Sequence, residues 1–200
     1  MPDTKQAANA GSRPKPARDA LMAAAARRFY ADGLAGTGID AITAEAGVAK
    51  KSLYNNFSSK AELVAAYLEA RHAEWLELYR RRLGKAGDAK ERILAVFDAY
   101  ADHARFAYDN GFRGCGLLNA AAELPAGDPG REAVRKHKEE VEAILAGHLA
   151  ELTAHRSRAA LMARHLSFLL EGSMARAGLE GNEQCLLDSR RLAVDLLESL

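Results

Sequence analysis

The chain has 200 residues, 48% hydrophobic and 28% charged, enough for one or two ordinary cores and too polar for a membrane-spanning protein. A net charge of +1 and a pI near 7.8 exclude the uniformly basic footprint of a simple nucleic-acid binder. The charge is nevertheless uneven: residues 1–60 hold nine Lys and Arg against five Asp and Glu, and residues 61–200 hold nineteen against twenty-two.

Two cysteines, Cys115 and Cys185, are too few and too far apart for a disulfide framework. The N-terminal stretch shows no secretory pattern and no apolar run is long enough to span a bilayer, so the expected location is the cytoplasm, with no membrane partner. Alanine and leucine are abundant and prolines few, which favours helices, and no strand signal appears anywhere.

Residues 1–16 combine Ala, Pro, Lys and Asn without apolar periodicity and read as a disordered arm, with Arg13, Lys15 and Arg18 able to reach a neighbouring groove or phosphate. Ala17 to Asp32 reads as a helix with Leu21, Ala24, Ala25 and Phe29 inward, stopped by Gly33. Thr37, between Gly36 and Gly38, is placed to cap the next helix, whose inner stripe is Ile39, Ile42, Thr43 and Ala46. The hydroxyl of Thr43 then needs a partner at a helix contact. Gly47 suits a sharp left-handed turn, and Val48 returns to the core.

In the following segment Leu53 and Phe57 stand four apart and pack inward, leaving Lys50, Lys51, Ser52, Tyr54, Asn55 and Asn56 outside. Lysines bind phosphate, Ser and Tyr hydroxyls donate to phosphate oxygens, and Asn can hydrogen-bond a base edge. A helical hairpin with a solvated basic face would have the same spacing.

The stretch from about Arg18 to Tyr67 resembles the DNA-binding domain of the TetR family of bacterial transcriptional regulators. The likeness rests on Phe29 with Gly33, Thr37, Ile42, Ala46-Gly47-Val48, Lys50, Leu53-Tyr54, Phe57, and Lys60 with Leu63. It implies that Thr37, Tyr54 and Lys60 touch the phosphate backbone, and that Lys50, Lys51, Ser52, Asn55 and Asn56 lie at or near the groove. Lys51 and Asn55 depart from the residues frequent at those places in the family, so no relative's operator can be transferred.

From Lys60 to about Leu83 a longer helix follows directly and forms the mechanical link to the rest. Asp88 caps the next helix, which should run to about Asn110, before a loop at Gly111 to Gly114. A short helix over Cys115 to Leu124 ends at Pro125, and Asp128-Pro129 opens another that reaches about Leu152. Two last helices, about Arg156 to Ala177 and Glu183 to Ser199, are separated by Gly178 to Gly181. The expected fold is all-α: a three-helix helix-turn-helix domain over residues 17–59, then, as the resemblance implies, a helical ligand-binding and dimerisation domain over 60–200.

The last two helices carry broad apolar faces, Leu161, Met162, His165, Leu166, Phe168, Leu169 and Gly172 on one and Leu186, Leu187, Leu192, Val194, Leu196 and Leu197 on the other. Pairing them across a two-fold axis would build a four-helix bundle and set two recognition helices on half-sites about 34 Å apart or a multiple of the helical repeat. Trp75, Tyr79, Phe97, Tyr100, Cys115, Asn119, His137 and Phe168 are candidates for an effector pocket of aromatic walls with a few polar handles, and would equally serve as ordinary core.

His137 and His148 share a helical face and Glu123 could join them, yet no ligand-spaced set lies on one helix, and no metal or cofactor is expected. Cys115, after Arg113-Gly114 at a helix start, is a candidate reactive thiol or a small buried residue. The reading is a homodimeric, ligand-responsive DNA-binding regulator without catalysis, a repressor released from double-stranded operator DNA by a small organic effector. Its alternatives are a constitutive DNA-binding protein and a cysteine-based sensor or enzyme.

Overall fold

A computed structural model describes residues 16–106 and 110–198. The proposed arm, with Arg13 and Lys15, lies outside the described residues apart from Pro16. Nine helices and no strand occur among the described residues: α1 (Pro16–Gly36), α2 (Ile39–Glu45), α3 (Lys50–Asn56), α4 (Lys60–Leu83), α5 (Ala89–Ala104), α6 (Gly116–Glu123), α7 (Pro129–Leu149), α8 (Arg156–Glu180) and α9 (Gln184–Glu198).

The starts follow local chemistry. Ser59 accepts from the Glu62 amide, Asp88 from that of Glu91, and Asp128 from that of Gly130 with Pro129 in the first turn. The Glu62 carboxylate reaches back to Ser58 N and Oγ, both at 2.6 Å, tying the end of α3 to the start of α4.

Three boundaries differ from expectation. α5 ends at Ala104, not Asn110, because Arg105 N and Phe106 N bond back three residues, to Asp102 O and His103 O, and close the helix. α8 continues through Gly178 and stops at Gly181, which takes the left-handed cap. Gly178 serves packing instead: a Cβ there would stand 2.6 Å from Gly114 N, so this glycine admits the backbone of the α5–α6 loop. At α2 the cap is Gly38, with no side-chain bond; the expected cap, Thr37, turns back and donates to Gly33 O at 2.6 Å and Arg28 O at 3.2 Å. Those carbonyls lie at the end of α1, where Gly33 (φ 82°, ψ 169°) interrupts the helix and leaves acceptors open.

Two apolar cores form. One joins α1–α3, the first half of α4 (Leu63, Val64, Tyr67, Leu68), α6 (Leu117, Ala120) and Val134 of α7. The other joins the second half of α4 (Trp75, Leu78, Tyr79) with α5 and α7–α9. Helix α4 thus carries one stripe that passes from one core into the next, and α6 packs with the N-terminal helices although it is remote in sequence.

Candidate nucleic-acid interface and effector site

In the α2–α3 unit, Ile42, Leu53 and Phe57 are fully buried and hold α3 against α1 and α4. Gly47 (φ 66°) makes the turn, with nothing near an added Cβ, so the requirement is for backbone conformation alone. Val48 N then bonds Thr43 O at 3.1 Å, and the Thr43 hydroxyl finds its partner in Asp40 O at 3.1 Å.

Anchored in this way, α3 presents Lys50, Lys51, Tyr54 and Asn55 to solvent, with Tyr54 50% exposed. Ser52 and Asn56 are half-buried, and Asn56 Nδ2 donates to Ser52 O at 2.8 Å. Lys50 pairs with Asp40 at 2.8 Å, and that hydrogen bond raises its ammonium pKa. Both partners are exposed, so the pair is weak and exchangeable. Arg27 and Arg28 of α1 clasp the Glu45 carboxylate, fixing α1 against α2.

The structure places two residues assigned to phosphate contact by resemblance in a different setting. Thr37 is fully buried with its hydroxyl engaged by α1, and Lys60 Nζ donates to Leu34 O at 2.5 Å. Thr37 closes the end of α1, and Lys60 ties the start of α4 to it in a joint between the two helices.

That joint contains residues whose position the sequence did not reveal. The Glu123 carboxylate accepts from Leu34 N at 2.9 Å and Ala35 N at 2.7 Å, amides exposed where Gly33 breaks α1. Glu123 is therefore a tether between α6 and the helix-turn-helix and does not stand with the histidines. The Tyr30 hydroxyl accepts from Arg113 N at 2.6 Å and donates to Gly114 O at 3.1 Å, while the Arg113 guanidinium reaches Tyr30 O and Ala31 O. A groove of about 400 Å³ beside this joint runs between Leu34, Val64, Leu124 and Pro129. A carboxylate eighty-nine and eighty-eight residues from its two amide partners has no local signal; only the Gly33 break hints that a partner is needed.

Of the candidate pocket residues, Trp75, Tyr100, Cys115 and His137 meet around one small space with Arg71, His103, Leu117 and Met174. The remaining four lie elsewhere. Tyr79 stacks on Trp75 but its hydroxyl bonds His148 Nε2 at 2.7 Å, and Phe97 is closed core. Asn119 is half-buried and donates to Arg113 O at 3.0 Å, and Phe168 is 66% exposed on the outside of α8. Helical periodicity marks apolar positions but not whether they face the chain's own core or its outer surface.

Burial pushes the His137 imidazole down to about 3, aided by the Lys138 charge, and that of His103 down to about 4. His137 Nδ1 lies 2.8 Å from His72 Nδ1, and its ring meets Trp75 edge-on. Lys138 sits 3.7 Å from the Cys115 sulfur, 3.5 Å from the Tyr100 hydroxyl and 2.9 Å from Glu171. Burial opposes the ammonium, but these neighbours more than offset it and raise its pKa. No group of three or more His, Cys, Asp or Glu side chains able to hold a metal occurs among the described residues, and no described helix is long and apolar enough to cross a membrane.

Residues 21–67 match the family described as bacterial regulatory proteins, tetR family. The structure resembles SCO4454, a TetR-family transcriptional regulator from Streptomyces coelicolor, with 32% identity, 92% of this chain and 95% of that one covered, and a TM-score of 0.84. A stretch of 85 residues is 35% identical to the HTH-type transcriptional activator FasR of Mycolicibacterium smegmatis, covering 42% of this chain and 39% of that protein, so the match spans well under two thirds of that relative. FadR from Bacillus subtilis, in complex with stearoyl-CoA, shares the fold at 16% identity and a TM-score of 0.69, with 90% and 96% of the two chains covered. With its helix-turn-helix and its all-α architecture, the chain belongs to the TetR family of bacterial transcriptional regulators.

Proposed function

We propose that the protein is a homodimeric repressor that binds a two-fold operator through α3 and releases it when a small organic effector occupies the α4–α9 region. The observation that carries this reading is the course of α4: it follows α3 after a link of three residues, tied to that junction by Glu62 on Ser58, and its two halves are buried in different cores. A change of packing around Trp75 then reaches the recognition helix through one rigid element. An arrangement favoured by effector at about 1–3 kcal/mol lowers operator affinity roughly 5–150-fold.

In this reading residues 17–59 are the reading head and 60–200 the sensing and dimerisation part. Tyr54 contacts phosphate, while Lys50, Lys51, Ser52, Asn55 and Asn56 stand at the groove. Lys50 exchanges Asp40 for a phosphate oxygen, and Thr37 and Lys60 hold the scaffold from within. No catalysis is involved. The stearoyl-CoA bound by FadR supports a fold able to hold an organic ligand.

The dimer face is the outer stripe of α8, where Leu161, His165, Phe168, Gly172, Ala175 and Leu179 recur at helical spacing and all are exposed, joined by Leu192 of α9. Large apolar side chains in such a row support burial against a second copy. Most of the α9 face turns inward, with Leu186 and Leu197 buried.

The experiment is selection of double-stranded DNA from a random-sequence pool by the purified protein. Enrichment of inverted half-sites supports the reading, and a pool with no enriched sequence overturns it.

A further inference from the structure

The inner stripe of α4 sets Tyr67, Arg71 and Trp75 one turn apart, and each presents a buried atom with no hydrogen-bond partner among the described residues: Tyr67 Oη, Arg71 Nε and Trp75 Nε1. Tyr67 and Trp75 are only 1% and 4% exposed, so water reaches neither freely. Buried polar atoms are nearly always satisfied, and three unsatisfied ones within two turns of a helix mark a place where a partner is accommodated. Arg71 and Trp75 line the small space described above, about 20 Å³, and Tyr67 Oη stands against Gly116, which lines it too. That volume admits one water-sized group.

The chemistry of the missing partner follows from the donor set. Indole and guanidinium nitrogens donate and cannot accept, so the complementary group is an acceptor. Its charge follows from the neighbours. Arg71 already pairs with Glu74 at 2.9 Å and Lys138 with Glu171 at 2.9 Å, so an added anion would leave a buried negative charge unmatched. A neutral oxygen fits.

Outside this space lies a recess of about 240 Å³ between α4 and α7, floored by Leu68 and Leu117 and rimmed by Ala65 and Ala133, and the two spaces share Leu117 and His137 as their common wall. The recess is smaller than a usual drug-sized site and apolar at its floor. We propose that the two spaces form one effector site, which takes a small neutral organic molecule with its apolar body in the recess and a carbonyl oxygen on Arg71 Nε and Trp75 Nε1. This rests on the effector-responsive reading above. His137 turns to admit the oxygen, and displacement of Leu117 shifts α6, whose far end carries the Glu123 tether to the helix-turn-helix.

Trp75 is the single tryptophan of the chain, so its emission reports on this site alone. The full-length protein is titrated with three probes of one shape: acetophenone, which offers a neutral carbonyl, ethylbenzene, which offers no acceptor, and benzoate, which offers an anion. Saturable change with acetophenone, and a preference of roughly fivefold or more over both others, is expected for one or two buried hydrogen bonds. By ligand-observed NMR, Trp75→Phe weakens acetophenone roughly fivefold because it removes the N–H and keeps the ring. Ala133→Phe, at an exposed rim position that leaves the core untouched, blocks the recess and abolishes binding.

Equal affinity for ethylbenzene, tighter binding of benzoate, indifference to Ala133→Phe, or no saturable binding of any probe overturns the site. Binding to selected operator DNA, followed on the same samples, separates the two readings. A protein that still binds operator but ignores every probe refutes the site alone. One that holds acetophenone at Trp75 without any change in operator affinity refutes the effector role and leaves the carbonyl site standing.

Discussion

Replacing Glu123 by alanine leaves Leu34 N and Ala35 N without their acceptor at the point where Gly33 interrupts α1. Hydrogen bonds to a charged group contribute about 1.5–3 kcal/mol each when buried, but Glu123 is exposed and water competes, so the pair together is worth about 2 kcal/mol. For a chain of this size that is a fall of roughly 4–8 °C in Tm. Gly33→Ala acts on the same contact from the other side. Its backbone (φ 82°, ψ 169°) is in a region open essentially to glycine alone, at a cost of about 1–3 kcal/mol for any other residue, and the new Cβ would lie 2.6 Å from Glu123 Oε1. That clash evicts the carboxylate, so the single variant loses the tether as well. In the double variant the carboxylate is already gone and only the backbone cost is added. Urea denaturation at one protein concentration should therefore show the double variant less destabilised than the sum of the singles by about 1–2 kcal/mol. Additivity within about 0.5 kcal/mol would refute the seating of Glu123 on this turn.

Three further outcomes are expected. Phe168→Glu places a charge in the exposed α8 stripe and should convert the dimer to monomer in light scattering while leaving the helix content unchanged; an undisturbed dimer would move the interface elsewhere. Tyr54→Ala should weaken binding to selected operator and to scrambled DNA alike with the salt slope unchanged, since the phenol carries no charge, whereas Asn55→Ala should relax preference at one base position by about 1–3 kcal/mol; identical profiles for both would cancel the division of roles. His103 and His137 are held below the ordinary value of 6.5 by burial, at about 4 and about 3, so the unfolded chain takes up protons that the folded chain refuses. Stability from these groups is complete above pH 6.5 and is lost as pH falls towards 4, by up to about 1.4 kcal/mol per pH unit for each histidine. His103→Gln should flatten that limb in denaturation curves collected from pH 7 to 4, and an unchanged slope would show that His103 is not kept neutral by the fold.

Local chemistry made much of the N-terminal part legible. Gly33 and Gly47 mark real backbone breaks, Leu53 and Phe57 anchor α3 inward, and Asp88 and Asp128 cap the helices assigned to them. Each of these depends on residues within a turn or two. Thr37 shows the limit: as a cap it had the right type and place, but the open carbonyls at the end of α1 compete for its hydroxyl and win. Phe168 and Trp75 look alike as apolar helix positions, yet one faces outward from α8 and the other lies under α5 and α7.

The all-α architecture, the turn and the exposed face of α3 are written in local residue order, because helix period, caps and left-handed turns are set by neighbours along the chain. Tertiary structure alone decided that α6 joins the N-terminal core, that Glu123 tethers α1, and that Tyr67, Arg71 and Trp75 converge without partners. Those outcomes depend on residues brought together from distant segments, and no spacing within a single helix encodes which of its buried polar groups will meet a partner.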